Sequence, residues 1–286
     1  MKDKKRIWTT SRRDLELGTR ALVMGILNVT PDSFSDGGGL RTVDDALRQA
    51  ETFIEQGADI LDVGGESTRP GSARVSADEE SRRVAPVIEA IAKRFDIPVS
   101  VDTSKSAVAE QAVAAGAEII NDISAMRFDE GIGEVAARKK TGLVLMHSRG
   151  EFESMHNQPE ISDIIGEVCT VFHSAIAKAA RFGIEPNSIV LDVGIGFSKT
   201  QDQNLELIAK LDKLAAEFPD YPILVGTSRK SFIGKILNNA PVDERLMGSL
   251  ATAAIAIWNG ASIVRVHDVK ETVEAMTLLA VLKDQL

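Results

Sequence analysis

The chain has 286 residues, enough for one large domain or two ordinary ones. Hydrophobic residues make up 44% and charged residues 26%, which excludes disorder as the main state. With 33 Lys and Arg against 42 Asp and Glu the net charge is −9, which argues against a nucleic-acid coat but leaves room for a local cationic cluster that takes a small anion.

The amino terminus, MKDKKRIWTT, is basic, but no apolar segment follows it, so it does not read as a secretory signal. Residues 7–20 alternate weakly and end near Gly18, the pattern of a short hairpin. From Ala21 onward, apolar runs alternate with amphipathic segments. The runs cover 21–29, 58–65, 97–103, 118–124, 142–147, 188–196, 222–228 and 262–268. Their near-continuous Val, Ile and Leu predict strands covered on both faces. Helices are predicted over 43–56, 77–95, 104–115, 130–140, 161–182, 203–218, 243–259 and 269–283. Gly57-Ala58, Gly116-Ala117 and Gly260-Ala261 each stand where a helix gives way to a strand, the place for a left-handed cap. Eight consecutive units predict an α/β protein, a single-domain (β/α)8 TIM barrel over 21–286, with the hairpin of 1–20 plugging its bottom. An open doubly wound sheet is the alternative, and the lack of GxGxxG after the first strand lowers it. The stretch 250–258, LATAAIAIW, is too short to span a bilayer. Cys169 is the only cysteine, so no intrachain disulfide or Cys-built zinc site is possible. A free thiol fits a reducing compartment, and the cytoplasm is the expected location.

Active sites in such barrels form at the carboxyl ends of strands, and each run here ends in polar groups. Asn28 closes the first and Asp62 and Glu66 the second. Asp102 and Thr103, then Asn121 and Asp122, then His147 close the next three, and Asp192 falls late in the sixth. Ser228, Arg229 and Lys230 follow the seventh, and Arg265, His267 and Asp268 end the eighth. An Asp or Asn after a strand is often just a helix cap, the reading taken for Asp122 and Asp268. Asp102, Asn121 and Asp192 follow apolar residues, where an unpartnered polar group is costly, so they are expected to meet a ligand together with Lys230. Acid and amide groups suit the edge of a flat, amide-rich heterocycle. Arg265 and His267 are two apart on one strand and share a face. With Asn28 across the closure they form a candidate phosphate pocket, to which Arg69 and glycines 64, 65 and 71 add a positive arm. The loops 30–40 and 66–72 are read as lids over a substrate. His156 and His173 lack partners at metal spacing and are read as surface or helix residues, Cys169 as packing, and His147 as either pocket wall or support.

The segments MGILNVTPDSFSDGG (24–38), DVGGESTRPG (62–71), VDTSK (101–105), IINDIS (119–124), GTSRKSFIG (226–234) and RVHDVKETVEAM (265–276) together resemble the dihydropteroate synthase family, in its order and over nearly the whole chain. The resemblance implies a transferase of folate synthesis. It would join p-aminobenzoate to 6-hydroxymethyl-7,8-dihydropterin pyrophosphate on a (β/α)8 barrel, and it is a sulfonamide target. It implies pterin contacts at Asp102, Asn121, Asp192, Lys230, Met146 and Gly226. Pyrophosphate contacts fall to Asn28, Thr68, Arg69, Arg265 and His267, with Mg2+ as cofactor on Asn28. The p-aminobenzoate pocket falls to Phe34, Pro70, Phe197, Lys230 and Ser231. Asp102, Lys230, Arg265 and His267 would be catalytic in a dissociative reaction. A homodimer through the late helices is the implied partner state, with no nucleic acid or membrane partner. The chain departs from the family pattern in Met146-His147-Ser148-Arg149-Gly150 and in Asp192-Val193-Gly194, and Ser198 stands where glycine is frequent. A pterin-binding methyltransferase domain and a non-catalytic sensor barrel are the competing readings, and the retained Lys230, Arg265 and His267 count against the first.

Overall fold

A computed structural model describes residues 6–18, 20–30, 42–69 and 71–285. Two antiparallel strands, β1 (Arg6–Thr9) and β2 (Asp14–Leu17), precede eight parallel ones. These are β3 (Leu22–Asn28), β4 (Ile60–Gly64), β5 (Val99–Asp102), β6 (Ile119–Asp122), β7 (Gly142–Met146), β8 (Ile189–Asp192), β9 (Ile223–Val225) and β10 (Ile263–Val266), and β10 pairs with β3 to close the barrel. Each lies within one of the eight apolar runs. The reason is two-sided burial: β4, β6, β7, β8 and β9 have no exposed residue, because helices cover one face and interior side chains the other.

The helices are α1 (Val43–Glu55), α2 (Ala77–Arg94), α3 (Ser106–Ala115), α4 (Gly131–Lys139), α5 (Ile164–Arg181), α6 (Gln201–Ala209), α7 (Leu211–Glu217), α8 (Ser231–Ile236), α9 (Leu246–Trp258) and α10 (Val269–Lys283). Side chains start several of them: Thr42 and Asp45 form a capping box on α1, Thr200 and Gln203 one on α6, and Ser76 and Asp163 cap α2 and α5. The three glycines at helix-to-strand junctions have φ of 93°, 122° and 108°, the conformation their position demanded. Two details differ from the sequence expectation. The helix expected over 203–218 breaks at Lys210, where the Asn259 amide donates to the carbonyls of Ile208 (2.9 Å) and Ala209 (3.2 Å). The six-residue α8 was not expected; it begins directly after Lys230 and fixes where that side chain leaves the backbone.

The hairpin closes the amino-terminal end as expected. Trp8 and Leu17 are buried against Leu22, Met24, Ile60, Ile119, Val144, Val190, Leu224 and Ile263, the lowest interior layer of the barrel. The Trp8 indole N–H donates to the Ser188 carbonyl at 3.0 Å, so its one polar group is satisfied. The main core lies between barrel and helices, with residues such as Val23, Leu61, Ala50, Ile88 and Phe172. Cys169 packs against that core from α5. Among the described residues no helix is long and apolar enough to cross a membrane.

Candidate active site

Strand register places Asn28, Gly64, Asp102 and Asn121 in one row across β3 to β6. Gly64 is the gap in that row. A Cβ there would sit 3.6 Å from Asn28 Oδ1 and 3.5 Å from Asp102 Cβ, so any longer side chain would fill the space between them. Arg265, from β10, crosses to the acids: its Nε lies 2.6 Å from Asp62 Oδ2 and its Nη2 2.7 Å from Asp102 Oδ2. Asn121 donates to the same Asp62 oxygen at 3.1 Å. Asp62 is fully buried, and its Oδ1 has no hydrogen-bond partner among the described residues. Asp62 closes the second apolar run but is not among the expected pterin or diphosphate contacts. The signal is present in the sequence, since Asp62 lies within an apolar run, as Asp102 and Asp192 end theirs.

Asp192 is buried, and its Oδ1 accepts from the Gly194 N–H at 2.8 Å. Gly194 has φ of 65°, and a Cβ there would lie 2.0 Å from the His147 carbonyl oxygen, so only glycine fits. Behind this turn the Lys199 ammonium joins two loops. It meets His147 Nδ1 (2.8 Å) and the carbonyls of Gly194 (2.8 Å), Phe197 (2.9 Å) and His147 (3.3 Å). His147 is fully buried, which makes it support rather than pocket wall. Lys230 Nζ lies 4.4 Å from the Phe197 ring centroid, a cation–π contact.

Ser228 Oγ accepts from the His267 backbone N–H at 3.2 Å and lies 3.1 Å from His267 Nδ1. A neutral ring that accepts the Ser228 hydroxyl at Nδ1 keeps its proton on Nε2. Burial, with Arg229 and Arg265 nearby, pushes the His267 pKa down to about 3. Burial therefore favours the neutral ring at His267. Asp268 pairs with Arg229 and makes no side-chain helix cap, whereas Asp122 accepts from the N–H groups of Ser124 and Met126 and organises its own loop.

Burial also shifts the other groups. It raises the Asp102 carboxyl to about 7, against Arg265 and Lys230 and with help from Asp62 and Glu80. It raises Asp192 against the Gly194 N–H and Lys230. It lowers the Lys230 ammonium to about 8, with Arg265 adding to the effect and Asp192 and Asp102 resisting. Burial disfavours charge on Arg265 as well, but Asp62 and Asp102 outweigh it and hold the guanidinium firmly charged. A cavity of about 680 Å³ contains every described residue of the predicted site. Phe34 and Pro70 lie outside the described residues, as does most of the first predicted lid. A smaller cavity, about 350 Å³ at the other end of the barrel, is lined by Arg12, Arg13, Lys93 and Glu118 and holds none of the predicted site.

Two further groups escaped the sequence reading. Lys105, at the foot of α3, sits between Glu66 and the buried Glu80, and Glu66 accepts from the Val75 N–H at 2.7 Å, so the base of the 66–75 loop is pinned. His156 is no surface residue: it is half-buried and lines the cavity.

The family model described as "Pterin binding enzyme" matches residues 24–267. A dihydropteroate synthase from Escherichia coli strain K12 is 51% identical over 259 residues, 90% of each chain. One from Synechocystis is 47% identical over 269 residues, 94% of this chain and 91% of that one. The chain belongs to the dihydropteroate synthase family. A Yersinia pestis dihydropteroate synthase solved with a sulfonamide drug has a TM-score of 0.92 and 45% identity, over 97% of this chain and 99% of that one. Within the family frame, two of the departures touch each other. Ser198 holds φ of 56°, the region where glycine is at ease, and its hydroxyl accepts from the Arg149 N–H at 2.9 Å and donates to the Arg149 carbonyl at 3.1 Å.

Proposed function

We propose that this transferase of the dihydropteroate synthase family joins p-aminobenzoate to 6-hydroxymethyl-7,8-dihydropterin pyrophosphate, giving 7,8-dihydropteroate and pyrophosphate by a dissociative path. The observation that carries the reading is Arg265, a cavity-lining guanidinium bonded to both Asp62 and Asp102. That pairing supports the reading, since a guanidinium suits a leaving diphosphate and a carboxylate suits the cation left behind.

In this reading Asp102, Asn121, Asp192 and Lys230 take the polar edge of the pterin, with Met146 and Gly226 against its faces. Arg265, whose Nη1 makes no hydrogen bond among the described residues, and the Nε2–H of His267 receive the diphosphate with Asn28, Thr68 and Arg69. The C–O bond at the pterin methylene breaks and its electron pair leaves with the diphosphate. The cation is delocalised into the ring, and the Asp102 carboxylate stabilises it. The amine lone pair of p-aminobenzoate, seated by Phe197, Lys230 and Ser231 with Phe34 and Pro70 from the loops, then forms the C–N bond and sheds a proton to water. An aniline attacking a carbocation requires no general base.

The described residues contain no cluster of three or more His, Cys, Asp or Glu able to hold a metal unaided. Asn28 Oδ1, on the row beside Gly64, fits a Mg2+ that arrives largely on its substrate, since Mg2+ keeps waters and phosphate oxygens and needs few protein ligands. When bound it would supply charge neutralisation on the diphosphate. A cytoplasmic location follows from the same role in folate synthesis. A homodimer through the late helices is supported by exposed Met247, Ile255 and Trp258 on α9 and Leu278, Val281 and Leu282 on α10.

The test of the path is positional isotope exchange with the bridging oxygen of the pterin diphosphate labelled. Scrambling, or slow pyrophosphate release, without p-aminobenzoate is expected. Neither event without the amine, together with a rate that tracks amine nucleophilicity, would overturn the dissociative step.

A further inference from the structure

The connection between β7 and α5, residues 147–163, carries neither a strand nor a helix, yet it is held at several points. Ser148 Oγ donates to the Ile123 carbonyl at 2.7 Å, and Arg149 is bonded to Ser198 as described. Phe152 and Met155 are buried with Ile123, Met146 and Phe197 in a small apolar cluster separate from the main core. With Met155 fixed inward, the next residue is set at the cavity edge. His156 Nε2 lies 2.8 Å from the Thr68 carbonyl oxygen, and its ring centroid is 5.7 Å from that of Phe197, the planes tilted by 31°. A carbonyl only accepts, so His156 Nε2 carries a proton and donates it.

One side chain thus bridges the 66–72 loop and the aromatic wall of the cavity. We propose that His156 is a specificity-determining residue that sets the spacing between Thr68 and Phe197 and so shapes the slot for the aryl amine. This rests on the assignment of Phe197 to the p-aminobenzoate pocket. Among the described residues no hydrogen bond joins His156 to Asp102, Asn121 or Asp192, the groups read as the pterin floor.

Four variants separate the outcomes: His156→Ala, His156→Gln (keeps a donor), His156→Phe (keeps a ring) and Phe197→Ala. Steady-state kinetics with p-aminobenzoate varied at saturating pterin diphosphate and Mg2+ gives KM and kcat, and calorimetry with 6-hydroxymethyl-7,8-dihydropterin gives pterin affinity. His156→Ala is expected to raise KM for p-aminobenzoate by about three- to tenfold, the value of one neutral hydrogen bond, with kcat and pterin affinity within about twofold. His156→Gln and His156→Phe are each expected to recover part of the loss. A KM within about twofold of the parent for His156→Ala, or an equal loss of pterin affinity, overturns the proposal. If Phe197→Ala also leaves KM unchanged, the pocket assignment itself fails; if only His156→Ala does, the role of His156 alone is lost.

Discussion

At the amino-terminal end of the barrel, Trp8 and Leu17 fill an apolar layer, the indole N–H reaches a carbonyl, and Thr10 and Arg13 both serve Glu118. At the carboxyl end, Asp102, Asp192, Lys230 and Arg265 crowd one cavity, with Asp62 fully buried and paired to Arg265. Asp62 Oδ1, Glu80 Oε1 and His147 Nε2 lie buried toward that end without a partner among the described residues, and Ser100 Oγ and Thr141 Oγ1 do so nearer the bottom, Ser100 in register with Ile119 of the lowest layer. The same eight strands thus run from a region that supplies stability to one that consumes it. Buried polar groups cost free energy when unmatched, and the plugged end and helical layer offset that cost. Burial at the mouth also moves Asp102 and Lys230 toward neutral pH, where a modest change in surroundings changes their charge.

The contrast is broken most directly by one substitution at each end. Lys230→Ala is expected to cut kcat/KM by about a hundredfold or more, the scale of losing a group aimed at developing charge. Its midpoint of thermal unfolding should stay near the parent's. Trp8→Ala should do the reverse, costing about 3–5 kcal/mol of stability from the lost burial and the cavity left behind. The kcat of its folded fraction should be unchanged. A Trp8→Ala enzyme that stays stable but turns over slowly would show that the two ends are not separable.

The pH profile sharpens the comparison. The free enzyme needs Asp102 as carboxylate and Lys230 as ammonium. With Asp102 raised to about 7, kcat/KM should fall as pH drops below that value. With Lys230 lowered to about 8, it should fall again as pH rises above it. A narrow bell between those limits is therefore expected, unchanged in Trp8→Ala. In Lys230→Arg the residual activity should lose its alkaline limb, since a guanidinium stays charged. A flat profile from pH 6 to 9 would remove both groups from the reacting set.

The eight strands were legible because a strand buried on both faces has to be a short apolar run, and the rim acids because they interrupt such runs. Asp102, Asn121 and Asp192 were visible on that ground alone. What could not be read was set by contacts between distant segments. The break at Lys210 depends on Asn259 in another helix, and the neutrality of His267 depends on burial and on Ser228 and Arg229. His156 sits in a connection with no period, so nothing local says that Met155 turns inward and leaves it beside Thr68.

The smallest effect expected is at Ser198. A non-glycine residue in the left-handed region costs about 1–2 kcal/mol. The two hydrogen bonds of its hydroxyl with Arg149 return about 1 kcal/mol each. Ser198→Gly removes the strain and both bonds together, so its stability should differ from the parent by less than about 1 kcal/mol. Arg149→Ala keeps the backbone bonds to Ser198 Oγ and loses only the guanidinium contacts with the Ser198 and Pro159 carbonyls. The double variant should therefore be additive within about 0.5 kcal/mol, because each substitution removes bonds that the other keeps. A coupling well above that would mean that loss of one side chain shifts the backbone of the other loop, so that the two departures from the family pattern hold a single arrangement.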